Sequence, residues 1–121
     1  MDYRDLIVWR KSMDLAVQVY IDTSSYPKEE QYGLTSQMRR AAARIPSNIA
    51  EGQGRRSTDN EFVRFLQIAL GSLCELETQL ELSVRLKLIN VDRATQLRPD
   101  VDEVGRLLNG LIRSKRPGSE L

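Results

Sequence analysis

The sequence predicts an all-α protein, an antiparallel up-down-up-down four-helix bundle. Four segments repeat their apolar residues every three or four positions, which is the pattern of helices that bury one side. The links between these segments are short, and short links place consecutive helices as antiparallel neighbours. No segment alternates apolar and polar residues as a half-buried strand does. With 121 residues the chain suits one domain, 1–121, and we expect the tail, 115–121, to fray.

The first helix is predicted over residues 6–22, with Asp5 as its N-cap. Its core seam is predicted from helical spacing to be Leu6, Trp9, Met13, Ala16 and Tyr20. The apolar arc of this helix spans roughly 200°, about twice what a bundle helix needs. We therefore predict that the apolar residues beside the seam form an interface between copies of the chain, together with an off-seam patch of the third helix. The interface candidates are Val8, Leu15, Val19, Ile68, Leu82 and Leu86.

The second helix lies within the stretch 34–56, around which the rest of the chain is organised, and Thr35 is its expected cap. Its core stripe is predicted to be Leu34, Met38, Ala41, Ala42, Ile45 and Ile49. Pro46 has no N–H to donate, so a kink is expected there. Gly52 and Gly54 are expected to end the helix.

The third and fourth helices follow recognisable start signals. Thr58 and Glu61 have the spacing of a capping box, and the helix that they open is predicted to extend toward Leu88. Asn90 is the expected cap of the fourth helix. The third seam is predicted to be Phe62, Leu66, Ala69, Leu73, Leu76 and Leu80. The fourth is predicted to be Ala94, Leu97, Val101, Val104, Leu108 and Leu111.

Three small residues of the third helix have expected structural roles. Gly71 and Ser72 are expected to permit the close approach of a neighbouring backbone. Cys74 is predicted to be a small core residue and not a nucleophile, since it has no CxxC partner and the chain has no histidine. A single cysteine also excludes an intrachain disulfide framework. With no secretory signal and no apolar run near the roughly 18 residues of a membrane span, the sequence predicts a cytoplasmic protein without membrane contact.

Positive charge is concentrated on one part of the chain. The whole chain carries only +1, which argues against a polycation that binds nucleic acid or lipid through total charge. Residues 37–64, however, contain six arginines and three acidic residues. Guanidinium groups suit bidentate phosphate contacts, so the candidate nucleic-acid-binding residues are Arg40, Arg44, Arg55 and Arg56. The alternative is a solvated face, or one paired with another subunit.

Several other polar residues are predicted to be structural. We predict that Asn48 is buried and bonded to the backbone freed near Pro46, and that Glu51 pairs with an arginine. Glu75 and Glu77 are predicted to form ion pairs with Arg39, Arg40 or Arg56 and not to bind a metal. Bundle metal sites usually combine glutamates with histidines, and this chain has none. Without histidine, catalysis would depend on carboxylates alone, so we expect no enzyme, cofactor or small-molecule substrate.

Two stretches resemble the signature of a known bacterial family. The sequences LTSQMRRAAARIPSNIAEGQGR and FVRFLQIALGSLCELETQL, within residues 34–82, are similar to the four-helix bundle proteins named after intervening sequences of large-subunit ribosomal RNA. The resemblance implies a homo-oligomer, a pentameric ring. A more distant group serves as accessory factors of diversity-generating retroelements, in which a basic ring surface contacts nucleic acid and a reverse transcriptase.

The carry-over from the family is made position by position. The matching positions are Gln37, Arg39, Arg40, Asn48, Glu51, Gly52, Arg56, Gly71, Ser72, Glu75 and Glu77. Arg44 departs from the small residue expected before IPSNIAEG, so a basic ridge through this position is a feature of this chain. Two hypotheses follow for a non-catalytic oligomer. It is a nucleic-acid-binding accessory protein, with RNA or DNA as partner, or it is an adaptor that holds protein partners.

Overall fold

The computed structural model describes residues 2–54 and 58–115, and four long helices account for most of them. The helices are α1 Ile7–Thr23, α2 Leu34–Gly54, α3 Asp59–Arg85 and α4 Val91–Lys115. Two short 3-10 turns, Tyr3–Asp5 and Lys28–Glu30, precede α1 and α2. The described residues contain no strand. The predicted all-α class is therefore confirmed. Most of the tail that was expected to fray lies outside the described residues.

Packing between the helices gives the predicted bundle. Each helix contacts the next one along the chain, and α1 also contacts α4, which closes the bundle. Between the described residues, the backbones of the diagonal pairs, α1 with α3 and α2 with α4, do not approach each other closely. The most extensive contact joins α2 and α3. The outer surface of α2 is thereby left between α1 and α3, which is where the candidate site lies.

The predicted cores of α2 and α3 are confirmed, since every residue of both seams is buried. The α4 seam is confirmed through Leu108, after which Ile112 is buried and Leu111 is only half-buried. Thr58 caps α3 as predicted, because its hydroxyl oxygen accepts the Glu61 N–H at 3.2 Å. Such a bond satisfies one of the free N–H groups at the start of a helix.

The start of α2 differs from the prediction. The Glu30 carboxylate accepts the Leu34 N–H at 3.2 Å, so the 3-10 turn before α2 supplies the capping group. Thr35 already lies inside the helix and is buried. Pro46 is accommodated within α2, which continues to Gly54.

The assignment of faces on α1 was wrong. Val8, Leu15 and Val19, predicted to form an oligomer interface, are buried in the bundle core. Met13 and Tyr20, predicted for the core seam, are exposed. The reason is that the buried face of α1 includes two polar residues, Ser12 and Thr23, beside its apolar ones. Their hydroxyls bond within the helix, Ser12 to the Trp9 carbonyl at 2.9 Å and Thr23 to the Val19 carbonyl at 2.7 Å. Polar residues can therefore be buried there.

Of the three small residues of α3, Ser72 is buried, and the other two differ from expectation. Gly71 is exposed, and a Cβ added to it would meet no atom within 4 Å, so it serves no close approach within the bundle. Cys74 is exposed and is not a core residue. Both lie away from the α3 seam that packs on the other helices. Close approach occurs instead at Gly52 of α2, where α3 begins.

A charged network joins α1 to α4. The Arg93 guanidinium contacts both Asp22 carboxylate oxygens, at 2.9 and 3.0 Å, and donates to the Gln18 side chain at 2.6 Å. The Asp22 side chain is only 12% exposed. A charge-assisted network of this kind is stronger than an ion pair in open water. It fixes the end of α1 against α4.

Tyr26 carries a buried hydroxyl with no hydrogen-bond partner among the described residues. Burial raises the pKa of this phenol, and the charge of Asp22 adds to the rise. The nearby Ser83 hydroxyl acts in the opposite direction. The two hydroxyls do not reach hydrogen-bonding geometry, and Ser83 donates to the Gln79 carbonyl at 2.8 Å.

Replacing Tyr26 with phenylalanine is expected to leave the stability unchanged or to raise it by up to about 1 kcal/mol, because an unpaired buried hydroxyl is removed. A raised pKa favours the folded state fully below the ordinary tyrosine pKa of about 10, and this contribution is lost as the pH rises from that value through the higher pKa of the folded protein. The loss of stability between pH 9 and 11 in urea titrations should therefore be smaller for Tyr26→Phe than for wild type. Tyr32→Phe, at an exposed ring, is the control; equal losses in all three proteins would contradict the prediction.

Candidate nucleic-acid-binding cleft

Three arginines of α2 line one cleft on the outer surface of the bundle. The cleft, here called the arginine cleft, has a volume of about 640 Å³ and lies between the end of α1, the turn before α2 and the outer face of α2. It is lined by Tyr20, Gln31, Tyr32, Thr35, Ser36, Arg39, Arg40, Ala43, Arg44 and Ser47. None of these lining residues is acidic. An anion in the cleft would therefore meet donors and positive charge.

Arg39 forms a fixed wall of the cleft. Its Nε donates to the Thr23 hydroxyl at 2.9 Å and its Nη2 to the Tyr20 carbonyl at 3.1 Å. The guanidinium also lies over the Tyr20 ring, 4.8 Å from the centroid, in cation–π geometry. Arg39 thus joins α2 to α1. The predicted ion pair between Arg39 and a glutamate of α3 is not formed within the described part of the chain. No local pattern indicates this contact, since its partners lie on another helix.

Arg40 and Arg44 have no strong ion pair with a described residue, so their positive charges are available to a ligand. They are one helical turn apart, so the two like charges raise each other's energy slightly unless an anion relieves them. Both are exposed. Among the described residues, Arg40 makes no ion pair or hydrogen bond. Arg44 approaches Glu75 at 4.0 Å, with both side chains about half exposed, and such a pair contributes little.

Thr35 adds an unsatisfied polar atom to the arginine cleft. Its side chain is about nine-tenths buried, and its hydroxyl oxygen has no hydrogen-bond partner among the described residues. Buried polar atoms of this kind are usually paired with protein, water or ligand. A hydroxyl can donate one hydrogen bond and accept others. The Thr35 hydroxyl therefore lies in the wall of the cleft, beneath its accessible surface.

The other predicted polar residues have mixed outcomes. Asn48 is only half-buried, and its Nδ2 donates to the Arg44 carbonyl at 2.8 Å, not to the Ala42 carbonyl that Pro46 leaves unpaired. The burial predicted for this amide was wrong, although its bond to backbone near the proline is present. Its exposure allows water to replace that bond. The role of Asn48 is thus local to α2.

The glutamates differ in a similar way. Glu75 approaches Arg44 and pairs with neither Arg39 nor Arg40, and its predicted pair with Arg56 lies outside the described residues. Glu77 is exposed and makes no ion pair with a described residue. The arginine pair predicted for Glu51 stays a prediction. Arg55 and Arg56, the two remaining nucleic-acid candidates, lie outside the described residues.

Next to the arginine cleft is an apolar depression, the α1 groove. It has a volume of about 500 Å³ and shares Tyr20, Ala43 and Ser47 with the cleft. Its remaining lining residues are Tyr3, Trp9, Met13, Ala16, Val17, Ile21, Pro46 and Ala50. A second group of exposed apolar residues, here called the α3 patch, consists of Ile68, in the first half of α3, and Leu82 and Leu86, at its end. About 21 Å along the helix axis separate Ile68 from Leu82. The described residues therefore expose a concave apolar groove and a separate set of apolar side chains along α3.

The described residues lack two other kinds of site. Their acidic and cysteine side chains form no group of three or more that could hold a metal ion. None of the described helices is both long enough and apolar enough to cross a membrane.

Comparison with known proteins identifies the family. The family model described as 23S rRNA-intervening sequence protein matches residues 4–110. The chain belongs to this family. The match includes α1, α2, α3 and most of α4, together with the arginine cleft and both apolar surfaces.

A crystal structure supports the same family assignment. It is that of a protein of unknown function from the S23 ribosomal protein family of Bacteroides thetaiotaomicron VPI-5482. The two chains are 27% identical, and their structures agree with a TM-score of 0.79 over 88% of this chain and 96% of the other. No curated protein matches the sequence. The family resemblance predicted from residues 34–82 is therefore confirmed.

Proposed function

We propose that this family member is a self-associating, non-catalytic protein that binds nucleic acid in the arginine cleft. The observation that carries the proposal is the charge of the cleft, where Arg40 and Arg44 face solvent with at most one weak ion pair. Arginine forms bidentate contacts with phosphate, and such contacts provide affinity independent of sequence. A family description that names a ribosomal RNA makes RNA one probe to test, beside DNA.

Self-association explains how a small cleft supports useful affinity. One chain offers few free arginines and a net charge of +1, so a single subunit would bind weakly. In a closed ring the same cleft recurs on every subunit. Weak phosphate contacts then act together, because binding at one cleft raises the effective concentration of the strand at the next. A pentamer, the ring implied by the family resemblance, would present five clefts.

The proposed occupant of the α1 groove is the α3 patch of a second copy. The groove is concave and lined mostly by apolar side chains, and the patch offers three large aliphatic side chains on a helix. Leaving both surfaces in water is unfavourable, and apolar patches of this kind usually mark interfaces. Because the two surfaces differ, their contact is heterologous, and repeating it produces a ring when the rotation closes.

Val17→Glu is expected to convert the oligomer to monomers without unfolding them. Val17 is 52% exposed within one chain, so glutamate is tolerated there, but the charge would be buried when a second copy fills the α1 groove. Light scattering should give the mass of one chain, and circular dichroism should remain helical. Asn109→Glu, an exposed change on α4, should keep the oligomer mass. A wild-type monomer at micromolar concentration would refute self-association.

The double variant Arg40→Glu/Arg44→Glu is expected to lose nucleic-acid binding and its salt dependence while keeping the fold and mass. Reversing both charges replaces phosphate attraction with repulsion. Binding is measured by fluorescence anisotropy with labelled RNA and DNA at about 50 mM salt, where phosphate contacts are strong. Arg98→Glu/Arg106→Glu on α4 has the same change in net charge and should bind as wild type does. Equal losses in both double variants would indicate that total charge, not the arginine cleft, governs binding.

The adaptor hypothesis makes a different prediction for the same experiment. If the wild-type oligomer binds neither RNA nor DNA at about 50 mM salt, the arginine cleft is not a phosphate site. An oligomer that associates with an acidic protein, and loses it in Arg40→Glu/Arg44→Glu, would support the adaptor instead.

A further inference from the structure

The turn before α2 carries a tyrosine whose ring is almost wholly in solvent. Tyr32 is 90% exposed and lines the arginine cleft together with Tyr20 and Arg39. A ring packed into the bundle would lose most of its accessible surface, as Tyr26 does. Tyr32 contributes almost nothing to the bundle core. Its ring is therefore available to a ligand in the cleft that Arg40 and Arg44 also line.

Tyr32 and the two free arginines offer complementary contacts to a nucleotide. Arg40 and Arg44 provide charge for phosphate oxygens, and the Tyr32 ring provides an apolar face for a base. The guanidinium of Arg39, held 4.8 Å above the Tyr20 ring centroid, adds a second planar group to the same cleft. Aromatic rings and guanidinium planes are the groups on which unpaired bases stack in nucleic-acid-binding proteins. A volume of about 640 Å³ lies within the range of sites that bind small organic molecules, roughly 300–1,000 Å³.

Base stacking on a side chain allows a protein to bind single strands in preference to duplexes. In a duplex each base is already stacked on its neighbours, and only phosphates and groove edges are available. In a single strand the bases can turn outward and stack on protein rings. Duplex binding would use Arg40 and Arg44 but would leave the Tyr32 ring without a partner.

From this geometry we infer that the arginine cleft binds single-stranded nucleic acid, with phosphates on Arg40 and Arg44 and an unpaired base stacked on Tyr32. The inference rests on the proposed function and specifies its ligand. The Gln31 side chain lines the same cleft and supplies a neutral hydrogen-bonding group. An amide can donate and accept hydrogen bonds and is not specific for one base, so the binding is tolerant of sequence.

The test compares four labelled probes by fluorescence anisotropy at about 50 mM salt: a 12-nucleotide RNA, the DNA of the same sequence, and the duplex form of each. Wild type should bind both single strands at least tenfold more tightly than the duplexes. Tyr32→Ala should weaken single-strand binding by about five- to 150-fold, the range expected for one lost base stack, and leave duplex binding unchanged. Tyr32→Phe retains the ring and should bind as wild type does.

The possible outcomes separate this inference from the proposed function. If duplexes bind as tightly as single strands, or Tyr32→Ala binds single strands as wild type does, the inference is overturned and the proposed phosphate site stands. If no probe binds, the proposed function fails and the inference fails with it. If only the RNA or only the DNA strand depends on Tyr32, the inference holds for that strand alone. Val91→Ala, an exposed apolar change on α4 away from the cleft, controls for loss of apolar surface and should alter no affinity.

Discussion

Replacing Leu15 with glutamate is expected to unfold the bundle, whereas the same replacement two residues later, at Val17, is expected to leave each chain folded. Leu15 is 1% exposed and belongs to the bundle core. A glutamate there would have to bury its carboxylate without a partner or remain protonated, and either costs several kcal/mol. The free energy of unfolding of a small domain is only about 5–15 kcal/mol, so this single change removes much of the stability.

Circular dichroism and urea titration of the two variants test this expectation at neutral pH. Leu15→Glu should show little cooperative unfolding, and Val17→Glu should keep a helical spectrum and a transition. Leu15→Met, which nearly conserves volume and apolar character, should cost less than about 1.5 kcal/mol. If Leu15→Glu is as stable as wild type, Leu15 faces solvent and the face of α1 that packs on the core has been misassigned.

Leu15 and Val17 lie on the helix whose buried side could not be predicted from apolar periodicity. On α2 and α3 the apolar stripe is narrow and the opposite side is charged, so the core face could be predicted residue by residue. On α1 the apolar arc was recognised as too wide for one core. Which half of the arc is buried depends on partners in other helices. Ser12 and Thr23 obscured the true core face, because their hydroxyl bonds to the backbone are invisible in the sequence.

The arginine cleft was predictable in part, for a similar reason. Arg40 and Arg44 lie on one helix at a spacing that defines their common side, so their juxtaposition follows from helical geometry. Tyr32 lies in a turn, and Tyr20 was assigned to the core seam, so no local pattern associated either ring with the arginines. The contact of Arg93 with Asp22 joins residues 71 positions apart and has no local signal at all.

Replacing Gly52 with alanine is expected to destabilise the bundle by about 1–3 kcal/mol, the usual cost of overpacking a well-packed site. Gly52 is buried near the end of α2, and the added Cβ would lie 2.8 Å from Phe62 Cδ1 and 2.8 Å from Phe65 Cβ. Contacts this short require a shift. The Phe62 ring can rotate, but Phe65 Cβ is fixed to the backbone of α3, so the first turn of α3 must move away from α2.

The sign of the effect separates this contact from ordinary helix propensity. Alanine stabilises a helix by about 0.5–1 kcal/mol relative to glycine. Replacing a helical glycine that has open space around it should therefore raise the stability of the protein. Gly110 of α4 is such a position, since an added Cβ there meets no atom within 4 Å. Urea titrations should therefore move the midpoint down for Gly52→Ala and up for Gly110→Ala. If both variants are stabilised, α2 and α3 are not in tight contact at Gly52, and the glycine serves only to end the helix.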